Sequence, residues 1–331
     1  MAKPAKRVRP TTGIDIGTGF LKMVDFDGTQ ITGARVVALP DNLTRDGHIV
    51  SHEEFIRALR QASVTHRDCA LMLYSSVCYT RRVQMPAMST KELMLNLPYE
   101  FQDFIQEGDD DYRFDYALLE MKTDEQGTPS EMDLLAAMVK TSVMNDLSAC
   151  FKKAGLRLSC AAPDVMAFTN IVRKAPDPES DFCFVNMGTT GTRVYLFPRG
   201  RFEVIRNIDF GTDNIVRVVA HELNIDHNLA RTYVTTNHEH CQELPAVHEA
   251  IEAFVAEIQR IVNFYNFSFR DSSLECLHYG GTASQVKPLV DALSSTLTVE
   301  LRGVSDLLPA AAQVNRDVLL QCPAAAGIVL A

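Results

Sequence analysis

A chain of 331 residues is longer than one hydrophobic core usually serves, so two or more domains are expected. Its 46% hydrophobic and 22% charged residues are those of a globular protein, and a net charge of −10 argues against a surface built to neutralise nucleic-acid phosphates. No run approaches the ~20 apolar residues of a membrane span, and eight cysteines without a C-x-x-C pair suit reduced thiols rather than a disulfide framework or zinc ribbon.

Residues 1–10 form a basic arm carrying Lys3, Lys6, Arg7 and Arg9; a solvated tail is the simpler reading, with contact to an anionic membrane as the other. Thr11 and Thr12 follow where a signal peptide would place its apolar core, so the chain is expected to stay in the cytoplasm. Residues 12–19 read as a strand entering a glycine turn, 20–26 as a second strand, Asp27-Gly28 as a hairpin turn and 30–39 as a third strand. After Pro40 the pattern turns helical. An insertion is expected over about 86–156, with a helical run at 90–105, an acidic solvated loop at 107–111, a strand at 112–121, an apolar run at 133–139 and a helix at 142–154 stopped by Gly155. The prolines and charges of 174–180 mark a linker between a first domain, 11–175, and a second, 181–331.

The opening unit then recurs: strand 182–187, turn Gly188-Thr189-Thr190-Gly191, strand 193–197, turn Arg199-Gly200 and strand 202–206. Aligned without gaps, Asp15 falls on Asn186, Gly17 on Gly188, Thr18 on Thr189 and Lys22 on Arg193, at an offset of about half the chain. That spacing points to duplication of a whole domain. Helical spacing at 213–223 and 248–267 is followed by a strand at 275–279, a turn at Gly280-Gly281 and a helix at 282–293. The small residues of 324–330 suit a closely packed last helix, with no amphipathic helix expected after it.

Glycine turns between strands let backbone N–H groups converge on an anion, and two that face each other make a phosphate clamp. In such a clamp Asp15 would hold Mg²⁺ through water, Thr18 and Gly19 would offer donors and Lys22 a point charge. One Asp-x-Gly-Thr-Gly is no more than a hairpin turn. Two copies, with a third turn at Gly280-Gly281-Thr282-Ala283 whose helix N-terminus suits an α-phosphate, point to a nucleotide. Asp164, after Pro163, reads as a helix N-cap in preference to a group positioning an attacking water. His238-Glu239-His240-Cys241 and His248 match no closed zinc site and read as an exposed loop. The Phe264-Tyr265-Phe267-Phe269 cluster reads as core packing.

These three turns resemble the two phosphate motifs and the adenosine motif of the actin, DnaK and sugar-kinase superfamily. Within it the chain is similar over nearly its whole length to the PilM family of type IV pilus assembly, with the FtsA family second. The likeness rests on Gly13-Ile14-Asp15-Ile16-Gly17 with Lys22, Leu97-Pro98 with Glu100, Phe114-Asp115-Tyr116, Ala154-Gly155-Leu156, Asp164-Val165 with Ala167, Arg260 with Phe264-Tyr265, and Gly280 to Ala283. It implies an α/β, actin-like (ribonuclease-H-like, duplicated) two-domain ATPase fold with a PilM/FtsA-type insertion. It also implies ATP and Mg²⁺, the metal at Asp15, with Gly17, Thr18, Gly19, Lys22, Gly188, Thr189, Thr190, Gly211, Gly280, Gly281 and Thr282 around the nucleotide and Asp15, Asn186 and Asp164 as the catalytic set. The implied partner is the short N-terminal cytoplasmic tail of a PilN-like membrane protein, received in a groove involving the insertion, so the membrane is reached only indirectly, at its inner face. Self-assembly is a further expectation, nucleic acid is not.

Two departures temper turnover. The superfamily's second phosphate motif begins with Asp where this chain has Asn186, and its Ala-Glu-x-x-Lys is represented by Ala230 alone, with Arg231 and Val234 at the charged positions. ATP binding with weak or absent hydrolysis is therefore expected. The alternatives are an FtsA-like division filament, which would carry a terminal amphipathic helix, and a small-molecule kinase, which would be longer and would need a carboxylate base in the cleft.

Overall fold

The computed structural model describes residues 9–40, 43–45, 47–105, 111–269 and 272–330. Residues 1–8 of the basic arm and 107–110 of the acidic loop lie outside them. The chain opens with β1 (Thr11–Ile16), β2 (Phe20–Phe26) and β3 (Ile31–Ala38), then the two-residue strands β4 (Thr44–Arg45) and β5 (His48–Ile49). Helix α1 (His52–Gln61) follows, started by Ser51, whose hydroxyl accepts from the Glu54 N–H. Next come β6 (Asp68–Leu73), β7 (Cys78–Pro86), α2 (Thr90–Asn96), β8 (Tyr112–Thr123), β9 (Pro129–Lys140), α3 (Thr141–Lys153), β10 (Arg157–Pro163) and α4 (Asp164–Lys174). The second half holds β11 (Phe182–Met187), β12 (Thr192–Phe197), β13 (Val204–Ile208), α5 (Thr212–Leu223), α6 (His227–Thr236), α7 (Pro245–Ser268), β14 (Cys276–Gly280), α8 (Lys287–Thr296), β15 (Glu300–Gly303), α9 (Arg316–Leu320) and α10 (Pro323–Val329).

Two five-stranded sheets carry the same order, β3-β2-β1-β6-β10 and β13-β12-β11-β14-β15. In each, the first three strands are an antiparallel meander and the remaining two pair in parallel. The repeat read from the sequence is thus a repeat of topology. The register agrees with the gapless alignment: Asp15 stands opposite Lys22, and Asn186 opposite Arg193.

Helices α4 and α10 lie between the sheets. Gly327 of α10 comes so near α4 that a Cβ there would stand 2.2 Å from the Ala167 carbonyl oxygen, and a Cβ on Gly13 would stand 2.0 Å from that of Ala325. The core between the halves includes Phe168, Phe184 and Tyr195, with the Phe168 and Tyr195 rings stacked at 4.0 Å. A second core lies beneath α5, α6, α7 and α8, and a third beneath α1 and α3.

Several elements depart from the sequence reading. Among the described residues the stretch from Pro40 to Pro86 holds one helix, α1, preceded by the short strands β4 and β5 and followed by β6 and β7. The helix expected at 90–105 is α2 followed by a 3₁₀ turn over Leu97–Phe104; Pro98 lacks the N–H that would continue the α-helical ladder. The helix expected at 282–293 is a four-residue 3₁₀ turn, Thr282–Gln285, and α8 starts only at Lys287, where Pro288 stands in the first turn. The three-stranded antiparallel sheet β7-β9-β8 begins at Cys78, while α3 places Leu147, Cys150 and Phe151 in the core beside α1. Phe264 and Phe267, read as core, are exposed.

Candidate functional site

The two glycine turns close with the same hydrogen bond, Gly17 N–H to Phe20 O and Gly188 N–H to Gly191 O, each 2.9 Å. Together they line a cleft of about 670 Å³, the first turn through Asp15, Gly17, Thr18 and Lys22, the second through Asn186, Gly188, Thr189 and Thr190. Helix α5 starts against the second turn: Gly211 precedes it, and its first amides donate to the Gly188 and Thr189 carbonyls at 3.2 and 2.9 Å.

Asp15 is 2% exposed. Its Oδ1 accepts from the Tyr74 hydroxyl at 2.8 Å and its Oδ2 lies 3.6 Å from Lys22 Nζ. Burial first, and then the charge of Asp15, hold the Tyr74 hydroxyl well above the ordinary phenol range, so it stays a donor. Asn186 stands at the matching point, and its Oδ1 is buried with no hydrogen-bond partner. An unpartnered acceptor on a residue that lines the same polar cleft as the Asp15 carboxylate fits a magnesium ion bound through its water shell. Among the described residues no three His, Cys, Asp or Glu side chains gather to hold a metal, so the ion's other ligands would be water and phosphate oxygens.

Asp164 lines the same cleft but does not cap its helix by side chain: it is the first residue of α4, and Pro163 precedes it as the cap residue. Its Oδ2 accepts from Arg193 and, at 2.6 Å, from the Tyr195 hydroxyl, while Oδ1 accepts from the Val165 N–H. Both oxygens are thus engaged by neighbouring residues, which leaves neither unengaged to position an attacking water. Burial works against the Arg193 charge, but Asp164 and Tyr195 more than restore it, so the guanidinium stays protonated. Arg193 also donates to Ser75 at 3.1 Å and lies over the Tyr74 ring at 5.2 Å, joining β12 to the first half.

Five sequence-predicted residues stand outside the cleft lining: Gly19, Gly211, Gly280, Gly281 and Thr282. Gly281 adopts φ +96°, and a Cβ there would stand 2.6 Å from Asn186 Oδ1 and 2.4 Å from the Met187 carbonyl, so the third turn supports the second. Its N–H is bound to the Leu320 carbonyl at 2.9 Å. Thr282 Oγ1 is buried without a partner. Ala230 and Val234 belong to the second-half core. Tyr74 and Ser75 were not found from the sequence, because nothing local distinguishes them from ordinary residues at the end of a strand.

A second cavity, about 330 Å³, lies between the three-stranded sheet and the first half; Phe114, Tyr116, Ala137, Ala161, Pro163 and Met166 help line it. Leu95 and Tyr99, on α2 and the 3₁₀ turn after it, are 66% and 67% exposed and lie outside that lining. Among the described residues no helix is long and apolar enough to cross a membrane.

Two sheets of one topology, each opening through a glycine turn onto a shared cleft, make this an actin-like fold. The chain belongs to the family described as type IV pilus assembly protein PilM, whose model matches residues 13–321. Its structure is similar to that of a chain of the PilM-PilN type IV pilus biogenesis complex, at 18% identity over 98% of both chains with a TM-score of 0.78. It is also similar to ethanolamine utilization protein EutJ from Carboxydothermus hydrogenoformans, at 13% identity over 97% of this chain and 89% of that one, TM-score 0.57. A third likeness is to MreB5 of Spiroplasma citri bound to AMPPNP, at 9% identity over 92% and 93%, TM-score 0.52. No curated protein matches the chain in sequence.

Proposed function

We propose that the chain is a cytoplasmic ATP-binding scaffold of type IV pilus assembly, which couples its nucleotide state to the N-terminal tail of a PilN-like membrane protein and is recruited through it to the inner face of the membrane. The observation that carries this reading is the adjacency of the cleft and the apolar cavity along two strand ends. Leu73 and Pro163 line the cavity, and the next residues, Tyr74 and Asp164, line the cleft. A nucleotide that moves Tyr74 or Asp164 necessarily acts on the wall of the cavity, because packed strand ends do not deform independently. Magnesium would supply charge neutralisation for the phosphates, and Asp15, Asn186 and the two turns would orient them. Membership of the PilM family and the partner named in the PilM-PilN structure support the choice of tail.

The test is calorimetric titration of the tail peptide of the cognate PilN-like protein, with and without ATP and Mg²⁺. The peptide affinity is expected to differ roughly fivefold or more between the two states, the usual lower end of allosteric coupling. Ala161→Trp, which fills the cavity, should abolish peptide binding and leave the ATP-induced rise in melting temperature in place. Peptide binding that survives Ala161→Trp, or that ignores nucleotide, would overturn the coupling.

A further inference from the structure

The end of the first sheet opposite the cleft gathers more positive than negative charge, although β2 and its hairpin turn bring Asp25, paired with Arg35, and the exposed Asp27 to the same end. The first residues of its three parallel strands, Thr11, Asp68 and Arg157, lie there, with Arg9 and Arg67 one or two positions before them. Arg9, His66, Arg67 and Arg157 line an open hollow of about 510 Å³. The carboxylate among them, Asp68, is bound by Arg157 and held below the ordinary range first by that hydrogen bond and then by the charges of Arg157, Arg9 and Arg67. Neither Arg9 nor Arg67 forms an ion pair among the described residues.

Helices α1 and α3 end at the same place, tied by the Arg60 guanidinium to the Lys153 carbonyl at 2.6 Å. Their last turns carry Arg60, Lys152 and Lys153, all exposed. Helix C-termini favour such cations, but that preference gives no reason for Arg9 and Arg67, which lie on no helix. In sequence, the ten residues before β1 hold Lys3, Lys6, Arg7 and Arg9 and no acidic residue. All this sits in a protein of net charge −10.

We infer that this face docks directly on an anionic phospholipid surface, beyond any recruitment through a protein partner. A plane of lipid headgroups engages scattered exposed cations without needing a shaped pocket, and acidic groups of the protein that lie beyond a Debye length of about 8 Å are screened from it. Nucleic acid is disfavoured because the −10 net charge opposes wrapping and the hollow is lined by no Phe, Tyr or Trp side chain for stacking.

The full chain, without partner protein or nucleotide, is sedimented with phosphatidylcholine vesicles and with vesicles containing phosphatidylglycerol. Binding to the anionic vesicles alone, weakened by salt, is expected. Arg67→Glu and Lys153→Glu, both at exposed positions and checked by unchanged melting temperature, should each weaken the partition at least about fivefold. Removal of residues 1–8 should reduce binding but preserve its sensitivity to the two reversals. Absence of binding, indifference to the reversals, or binding to duplex DNA with the same sensitivity would overturn the inference.

Discussion

Asn186 occupies in the second turn the position that Asp15 holds in the first, each opposite a cation on the neighbouring strand. The amide preserves size and an acceptor oxygen, which is why its Oδ1 can serve a metal-bound water, but it adds no charge and takes no proton at neutral pH. Single-turnover hydrolysis of ATP by the native chain is therefore expected to be slow. Asn186→Asp should accelerate it roughly 100-fold with little change in ATP affinity, the usual worth of one well-placed electrostatic or proton-transfer group. Rapid native hydrolysis, or a variant no faster than its parent, would refute this role. At this scale Asp15, Asn186 and both glycine turns were legible because turn chemistry is local. The engagement of Asp164 was not, because its partners Arg193 and Tyr195 lie about thirty residues away, on a strand of the other sheet.

Elements were legible where their period is strong and unbroken. The duplicated meander was read strand by strand, whereas the helix at 90 was drawn too long because Pro98 breaks its ladder, and the helix at 282 was started too early because a 3₁₀ turn precedes α8, whose first turn holds Pro288. The small residues of α10 were rightly read as a close-packing surface. Gly327→Ala would drive a methyl group into the backbone of α4, 2.2 Å from the Ala167 oxygen. A loss of about 2 kcal/mol or more is expected from the urea midpoint. Gly19→Ala is the control: no atom lies within 4 Å of the added Cβ, and a change within about 0.5 kcal/mol is expected. Equal midpoints for the two variants would show that the α4–α10 contact relaxes without cost.

For the molecule as a whole, the Arg193 contacts with Asp164, Ser75 and Tyr74 bridge the two sheets at the floor of the cleft. Arg193→Leu strands a buried carboxylate, and about 3 kcal/mol of stability should be lost. Adding Asp164→Asn, which removes the stranded charge, should recover most of that loss. Chemical denaturation of the native, single and double variants reads the coupling directly; a single variant within about 0.5 kcal/mol of native would mean the pair is not a clamp.

By itself the chain of residues determined its duplication, the glycine turns and the pairing of Asp15 with Asn186, because each is written in local turn chemistry or in a spacing repeated along the chain. Only the tertiary structure decided that α10 returns to pack against β1 and α4, that Asp164 is bound by Arg193 and Tyr195, and that Arg9, Arg67 and Arg157 share one face. Those facts depend on contacts between residues far apart in the chain, whose energies come from burial and from charges brought together by folding. No pattern of neighbouring residues encodes such contacts, since the same local sequence is compatible with many partners until packing selects one.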